Sequence, residues 1–128
     1  MAKASITIPS QSYTPNTRTV NLPNLTTDDN GITITLTRES WPVGSNIISG
    51  FIEGSDDGVN WFGLTQFSWD GGDQINPRTG LPVLTQWVSV SWPEKLVNGV
   101  MVPQRPAQAR ARVTNTVTLT TAITVAGR

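Results

Sequence analysis

The chain has 128 residues, with nine basic and nine acidic side chains and neither cysteine nor histidine. Zero formal charge argues against the basic footprint of a nucleic-acid binder. The missing residues remove disulfides, thiolate metal sites and the commonest general base at neutral pH. At 13.8 kDa it is one domain's worth, with an expected folded surface of roughly 6,600 Å². Charged residues make up only 14%, and Thr, Ser, Asn and Gln fill the polar positions, a composition that suits strands and disfavours helix. No window approaches the ~20 apolar residues of a membrane span. The first residues lack the apolar run of a signal peptide, so the chain reads as soluble and not exported by an ordinary signal.

Residues 4–8 alternate through Ala4, Ile6 and Ile8 and predict a short strand. Residues 9–30 are rich in Pro, Asn, Thr and Ser, with Val20 and Leu22 as an apolar pair. We expect residues 1–30 to form an extended N-terminal arm with short strands, and residues 31–128 to form the folded domain. From Asn30-Gly31, the run Ile32-Thr33-Ile34-Thr35-Leu36-Thr37 is the cleanest alternation in the chain. Its Ile32, Ile34 and Leu36 should face the core. The turn Trp41-Pro42-Val43-Gly44 closes that strand, and a hairpin follows across residues 47–69 with Asp57-Gly58 at its tip.

A polar loop over residues 70–80 leads to a strand over 83–92, with Leu84, Val88, Val90 and Trp92 on one face and Trp87 among small polar residues on the other. Val97-Asn98-Gly99-Val100 predicts a two-residue type I′ hairpin. Residues 107–113 put Ala107, Ala109, Ala111 and Val113 inward and Gln108, Arg110 and Arg112 outward. The last strand, over residues 117–125, buries Val117, Leu119, Ile123 and Val125. About eight strands with no helical periodicity predict an all-β, two-sheet antiparallel sandwich, jelly-roll or immunoglobulin-like.

Chemistry-bearing groups are few. Asp56, Asp57, Asp70 and Asp73 could chelate Ca²⁺ or pair as a glycosidase couple. Turn-forming roles, in which Asp accepts backbone N–H bonds, are the stronger reading. Five tryptophans are many for this length. Trp61 and Trp92 are expected in the core. Trp87 is expected at the surface, where a protein interface outweighs a sugar-stacking platform, with Trp69 a second sugar-stacking candidate. Arg105, Arg110 and Arg112 could pair with phosphate or carboxylate, although a row of this kind is more often a solvated face that discourages aggregation. Asn24-Leu25-Thr26 matches a glycosylation acceptor by chance. No cofactor is expected, and no enzyme.

The segment Thr35-Leu36-Thr37-Arg38-Glu39-Ser40-Trp41-Pro42, followed by Gly50-Phe51-Ile52-Glu53-Gly54-Ser55-Asp56-Asp57-Gly58-Val59-Asn60-Trp61, resembles the Trp-Pro turn and Ser-x-Asp-Gly-x-x-Trp hairpin of small virion proteins in tailed bacteriophages. The Asp70–Asp73 loop and Arg110-Ala111-Arg112-Val113 fit the same likeness, which spans residues 32–125. Such hairpins also occur in galactose-binding-like and immunoglobulin-like sandwiches. The resemblance implies a capsid decoration (cement) protein on the virion surface, made in the host cytoplasm. It would bind the major capsid protein as a homo-oligomer, with a trimer favoured, and would touch neither nucleic acid nor membrane. On that reading Tyr13, Trp87, Arg110 and Arg112 are the interface candidates, and residues 9–30 reach a neighbouring subunit. The alternative is a carbohydrate-binding or adhesin module, for example of a phage tail.

Overall fold

In a computed structural model, residues 3–128 are described and contain ten strands and no helix. In chain order they are β1 Ser5–Tyr13, β2 Asn16–Leu22, β3 Gly31–Thr37, β4 Ile48–Ser55, β5 Phe62–Trp69, β6 Thr85–Ser91, β7 Glu94–Val97, β8 Val100–Pro103, β9 Gln108–Asn115 and β10 Leu119–Gly127. Eight of them build two four-stranded antiparallel sheets, ordered β1-β10-β3-β6 and β2-β9-β4-β5. The chain passes between the sheets at β1–β2, β2–β3, β3–β4, β5–β6 and β9–β10, and once more between β6 and β9. This strand order is that of a jelly roll, which settles the choice left open with an immunoglobulin-like sandwich. The remaining two strands pair only with each other, as a β7–β8 hairpin inserted between β6 and β9.

Period-two alternation explains the core. Ile32, Ile34 and Leu36 of β3 and Leu119, Ile123 and Val125 of β10 all lie between the sheets at 2% exposure or less. They face Ile48 and Ile52 of β4 and Ala109, Ala111 and Val113 of β9. Each large side chain buried this way contributes about 1.5–3 kcal/mol. Small alanines on β9 leave room for the isoleucines of the other strands. Gly50 has a packing reason of its own, because a Cβ there would lie 1.9 Å from the Arg112 carbonyl oxygen.

Several expectations need correction. Residues 5–22 are not a reaching arm: β1 pairs with β10 along its length and β2 pairs with β9, with Val20 and Leu22 in the core. Backbone pairing with interior strands satisfies donors that an isolated arm would leave to water. Trp61 is not a core plug but lies half-buried on the outer face of β2-β9-β4-β5, beneath Arg110. Trp41 takes a buried position instead, its indole N–H donating to the Thr120 carbonyl at 3.2 Å. Trp92 is buried as expected and donates to the Asp29 carbonyl at 2.7 Å. Leu84 precedes β6 rather than lying on its core face, and Ala107 precedes β9; both are exposed.

The register places the loops at two ends. The β2–β3 and β4–β5 connections and the β7–β8 insertion lie at one, as Leu22↔Ala109↔Gly54 and Gly31↔Ser91 require. The β1–β2, β3–β4, β5–β6 and β9–β10 connections lie at the other. Hereafter these are the hairpin end and the far end.

Candidate binding surfaces

The outer face of the β2-β9-β4-β5 sheet carries the arginines singled out in the sequence. Cross-strand pairing sets Arg110 against Glu53 and Arg112 against Phe51. The Glu53 carboxylate accepts from Arg110 Nε at 2.9 Å and from Arg112 Nε and Nη2 at 2.8 and 3.1 Å. Arg110 also stacks on Trp61 at 3.8 Å, and Arg112 lies 5.3 Å from the Phe51 ring centre. Burial pushes the Glu53 carboxyl up, but the Arg112 and Arg110 hydrogen bonds outweigh it and hold its pKa below the ordinary value. A single carboxylate thus orients both guanidinium groups along the sheet, each flanked by an aromatic ring.

The four candidate interface residues do not converge. Arg110 and Arg112 share the face just described. Trp87 stands on β6, on the outer face of the opposite sheet, and is 63% exposed. Its row runs Thr7, Thr124, Thr35, Trp87 across four strands, so the ring rises from the rim of a flat hydroxyl-bearing surface. Tyr13 sits at the far end, half-buried against the core beneath Arg18, whose guanidinium lies 4.1 Å from the ring centre. The Tyr13 hydroxyl is buried and meets no hydrogen-bond partner among the described residues. Tyr13 thus packs partly against the core of its own domain.

The acidic loops are built as turns. Asp57 accepts from the backbone N–H groups of Asn60 at 2.7 Å and Val59 at 2.8 Å, as well as from the Asn60 side chain. Those bonds hold its carboxyl well below the usual range. Asp56 accepts from Ala107 N–H at 3.3 Å, tying the β4–β5 turn to the strand that follows the hairpin. Asp70 accepts from Asn46 N–H at 2.8 Å. Arg38 donates to the Asp70 and Gly72 carbonyls at 2.9 and 2.7 Å while stacking on Trp41. Among the described residues no three acidic side chains converge on a point that could hold a metal.

The largest departure from ordinary packing lies elsewhere. In the β7–β8 hairpin Leu96 (63% exposed), Val100 (62%) and Met101 (54%) stand open to solvent, joined by Val97 and Val102. Residues directly opposite share a face of the ribbon. The pairs Val97↔Val100 and Lys95↔Val102 therefore fill one side, and Leu96↔Met101 lies on the other. Both sides are apolar. The tip is the expected type I′ turn, with Asn98 at φ 51° and Gly99 at φ 80°. The solvent-accessible surface is 7360 Å², roughly 700 Å² above the size expectation, as a projecting element requires.

A second apolar area lies at the far end. Val43, Ile75, Leu81 and Leu84 are each more than half exposed on the β3–β4 and β5–β6 loops. Between those loops runs a groove of about 160 Å³ with a mixed lining, Trp41, Pro82, Val83 and Leu84 beside the polar Arg38, Ser40, Asp73 and Gln74. The sequence located the hairpin without a role for it, and it marked the 70–80 loop as polar, not as a bearer of exposed apolar side chains. The available signal was Leu96-Val97 and Val100-Met101-Val102 on a two-stranded ribbon, which has no second layer to bury either face. No protein-family profile matches the chain, and no curated protein sequence is significantly similar to it.

Proposed function

We propose that this chain is a non-enzymatic structural protein that holds protein surfaces together, and that its setting is a phage particle whose capsid shell it decorates and cements. The observation that carries the reading is the apolar surface left uncovered at both ends of an otherwise closely packed jelly roll. Exposed apolar patches of this kind mark protein contact more often than catalysis. The Asp and Glu side chains nearest to a chemical role, Asp57 and Glu53, are engaged by backbone amides and by arginines of the same chain. The likeness of residues 35–42 and 50–61 to small virion proteins supplies the phage setting and, with it, the major capsid protein as partner, a homo-oligomer with a trimer favoured, and a place on the capsid surface.

Repetition around a symmetric shell would multiply a modest contact into durable attachment. The test is cosedimentation of the purified protein with empty capsids. Binding that is lost when the hairpin is replaced by a short Gly-Ser link supports the reading. No binding at any salt concentration removes it.

A second reading rests on Trp87. An indole at the rim of a Thr/Ser face can stack on a sugar ring, so a carbohydrate-binding or adhesin module is the alternative. Glycan-array binding abolished by Trp87→Ala, with no capsid cosedimentation, would replace the first reading with this one.

A further inference from the structure

We propose that the β7–β8 hairpin of one copy docks into the far-end groove of a second copy, in a head-to-tail contact between identical chains. This rests on the reading that the hairpin is a protein-docking element, and it names the occupant.

Three observations favour a second copy. The first is that the chain has two uncovered apolar areas at opposite ends: Leu96, Val100 and Met101 on the hairpin, Leu81 and Leu84 beside the groove. One heterologous contact covers both, whereas a hairpin-to-hairpin pair leaves the far end bare. The second is size. A space near 160 Å³ compares with the ~150 Å³ cavity that accommodates a benzene-sized group, so it suits one Met or Leu side chain at the projecting tip.

The third is charge. Glu94 and Lys95 stand at the base of the hairpin, and Asp73 and Arg78 stand exposed on the loop bearing the groove, so each end offers one charge of each sign to the other. A lipid surface is a poorer occupant, because membrane-seeking elements carry aromatic and basic flanks and the hairpin itself has no aromatic residue.

Head-to-tail contact closes into a ring where the rotation permits and otherwise extends as a chain. In either case assembly has two separable halves. Leu96→Asp with Met101→Asp disables the hairpin, and Leu84→Asp disables the groove. All three positions are exposed, so the fold should hold, and circular dichroism with thermal melting checks that it does. Should the hairpin variant fail to fold, replacing residues 94–103 by a Gly-Ser link serves in its place.

Sedimentation velocity at roughly 100 μM, above the micromolar Kd of a modest protein contact, should show wild type beyond monomer and each variant alone as monomer. An equimolar mixture of the two variants should give a species no larger than a dimer, because one intact hairpin meets one intact groove. A monomeric wild type overturns the proposal, as does assembly that survives Leu84→Asp. A monomer that still cosediments with capsids would overturn only the head-to-tail contact and leave the proposed function standing.

Discussion

The outer face of the β2-β9-β4-β5 sheet and the β7–β8 hairpin make opposite use of their side chains. On the sheet, Arg110 and Arg112 look like a binding row in sequence, yet both find their partner, Glu53, within the chain. On the hairpin, Leu96, Val100 and Met101 look like ordinary strand residues, yet none has a second layer to pack against. Glu53 offsets one of the two positive charges and takes hydrogen bonds from both guanidinium groups, so any new anion must compete with an existing short-range pair. Uncovered apolar area has no such competitor. The chemically bland segment is therefore the better candidate for recognition.

The largest perturbation should come from the body. Ile34 is fully buried, and Ile34→Ala should cost about 2–5 kcal/mol, read as a lower urea midpoint at unchanged slope. A loss under ~1 kcal/mol would mean that the two sheets are not closely packed against each other.

Next is the carboxylate between the arginines. Glu53→Gln leaves two guanidinium groups facing each other across a part-buried site, and should cost about 1–3 kcal/mol. Since the folded Glu53 pKa lies below its ordinary 4.5, the pair's contribution is fully present above that value. It is lost as pH falls through the lowered folded value. Stability should therefore decline on acidification, and Glu53→Gln should flatten that decline. Asp57, shifted in the same direction, should leave a residual slope. An acid limb unchanged by the substitution would show that the Arg–Glu–Arg cluster does not stabilise the fold.

Smaller effects belong to the exposed elements. Replacing residues 94–103 by a Gly-Ser link should change the stability of the monomer by less than ~1 kcal/mol, because the hairpin buries little against the body. Trp87→Ala should change it by about 0.5 kcal/mol or less. A substantial destabilisation in either case, seen in a melting curve, would place that element in the folding core and dissolve the contrast between body and hairpin.

Much of the fold was legible in the residues. Ile32-Thr33-Ile34-Thr35-Leu36 declares its strand and its buried face by alternation alone, and Asn98-Gly99 declares its turn by the need for positive φ. The sheet order was not legible, since pairing β10 between β1 and β3 depends on contacts over more than 80 residues. The N-terminal segment was misread for the same reason: Pro and Asn weaken a strand locally, but an edge position tolerates both. Trp61 was misplaced because composition cannot distinguish an indole that plugs a core from one that carries a guanidinium. The arginines were found by type, while their engagement by Glu53 follows only from the β4–β9 register. The hairpin's exposure depended on its insertion outside both sheets, which local pattern does not record.

Hydrogen–deuterium exchange on the isolated chain tests the central claim most directly. In dilute solution the backbone amides of Val97, Val100 and Val102, which lie in the hydrogen-bonded pairs of the ribbon, should exchange orders of magnitude faster than those of Ile34 and Ile123, because a lone two-stranded ribbon opens without unfolding the sandwich. Raising the protein concentration should slow the hairpin amides and leave the core amides unchanged. Hairpin amides as protected as those of the core at every concentration would contradict the account.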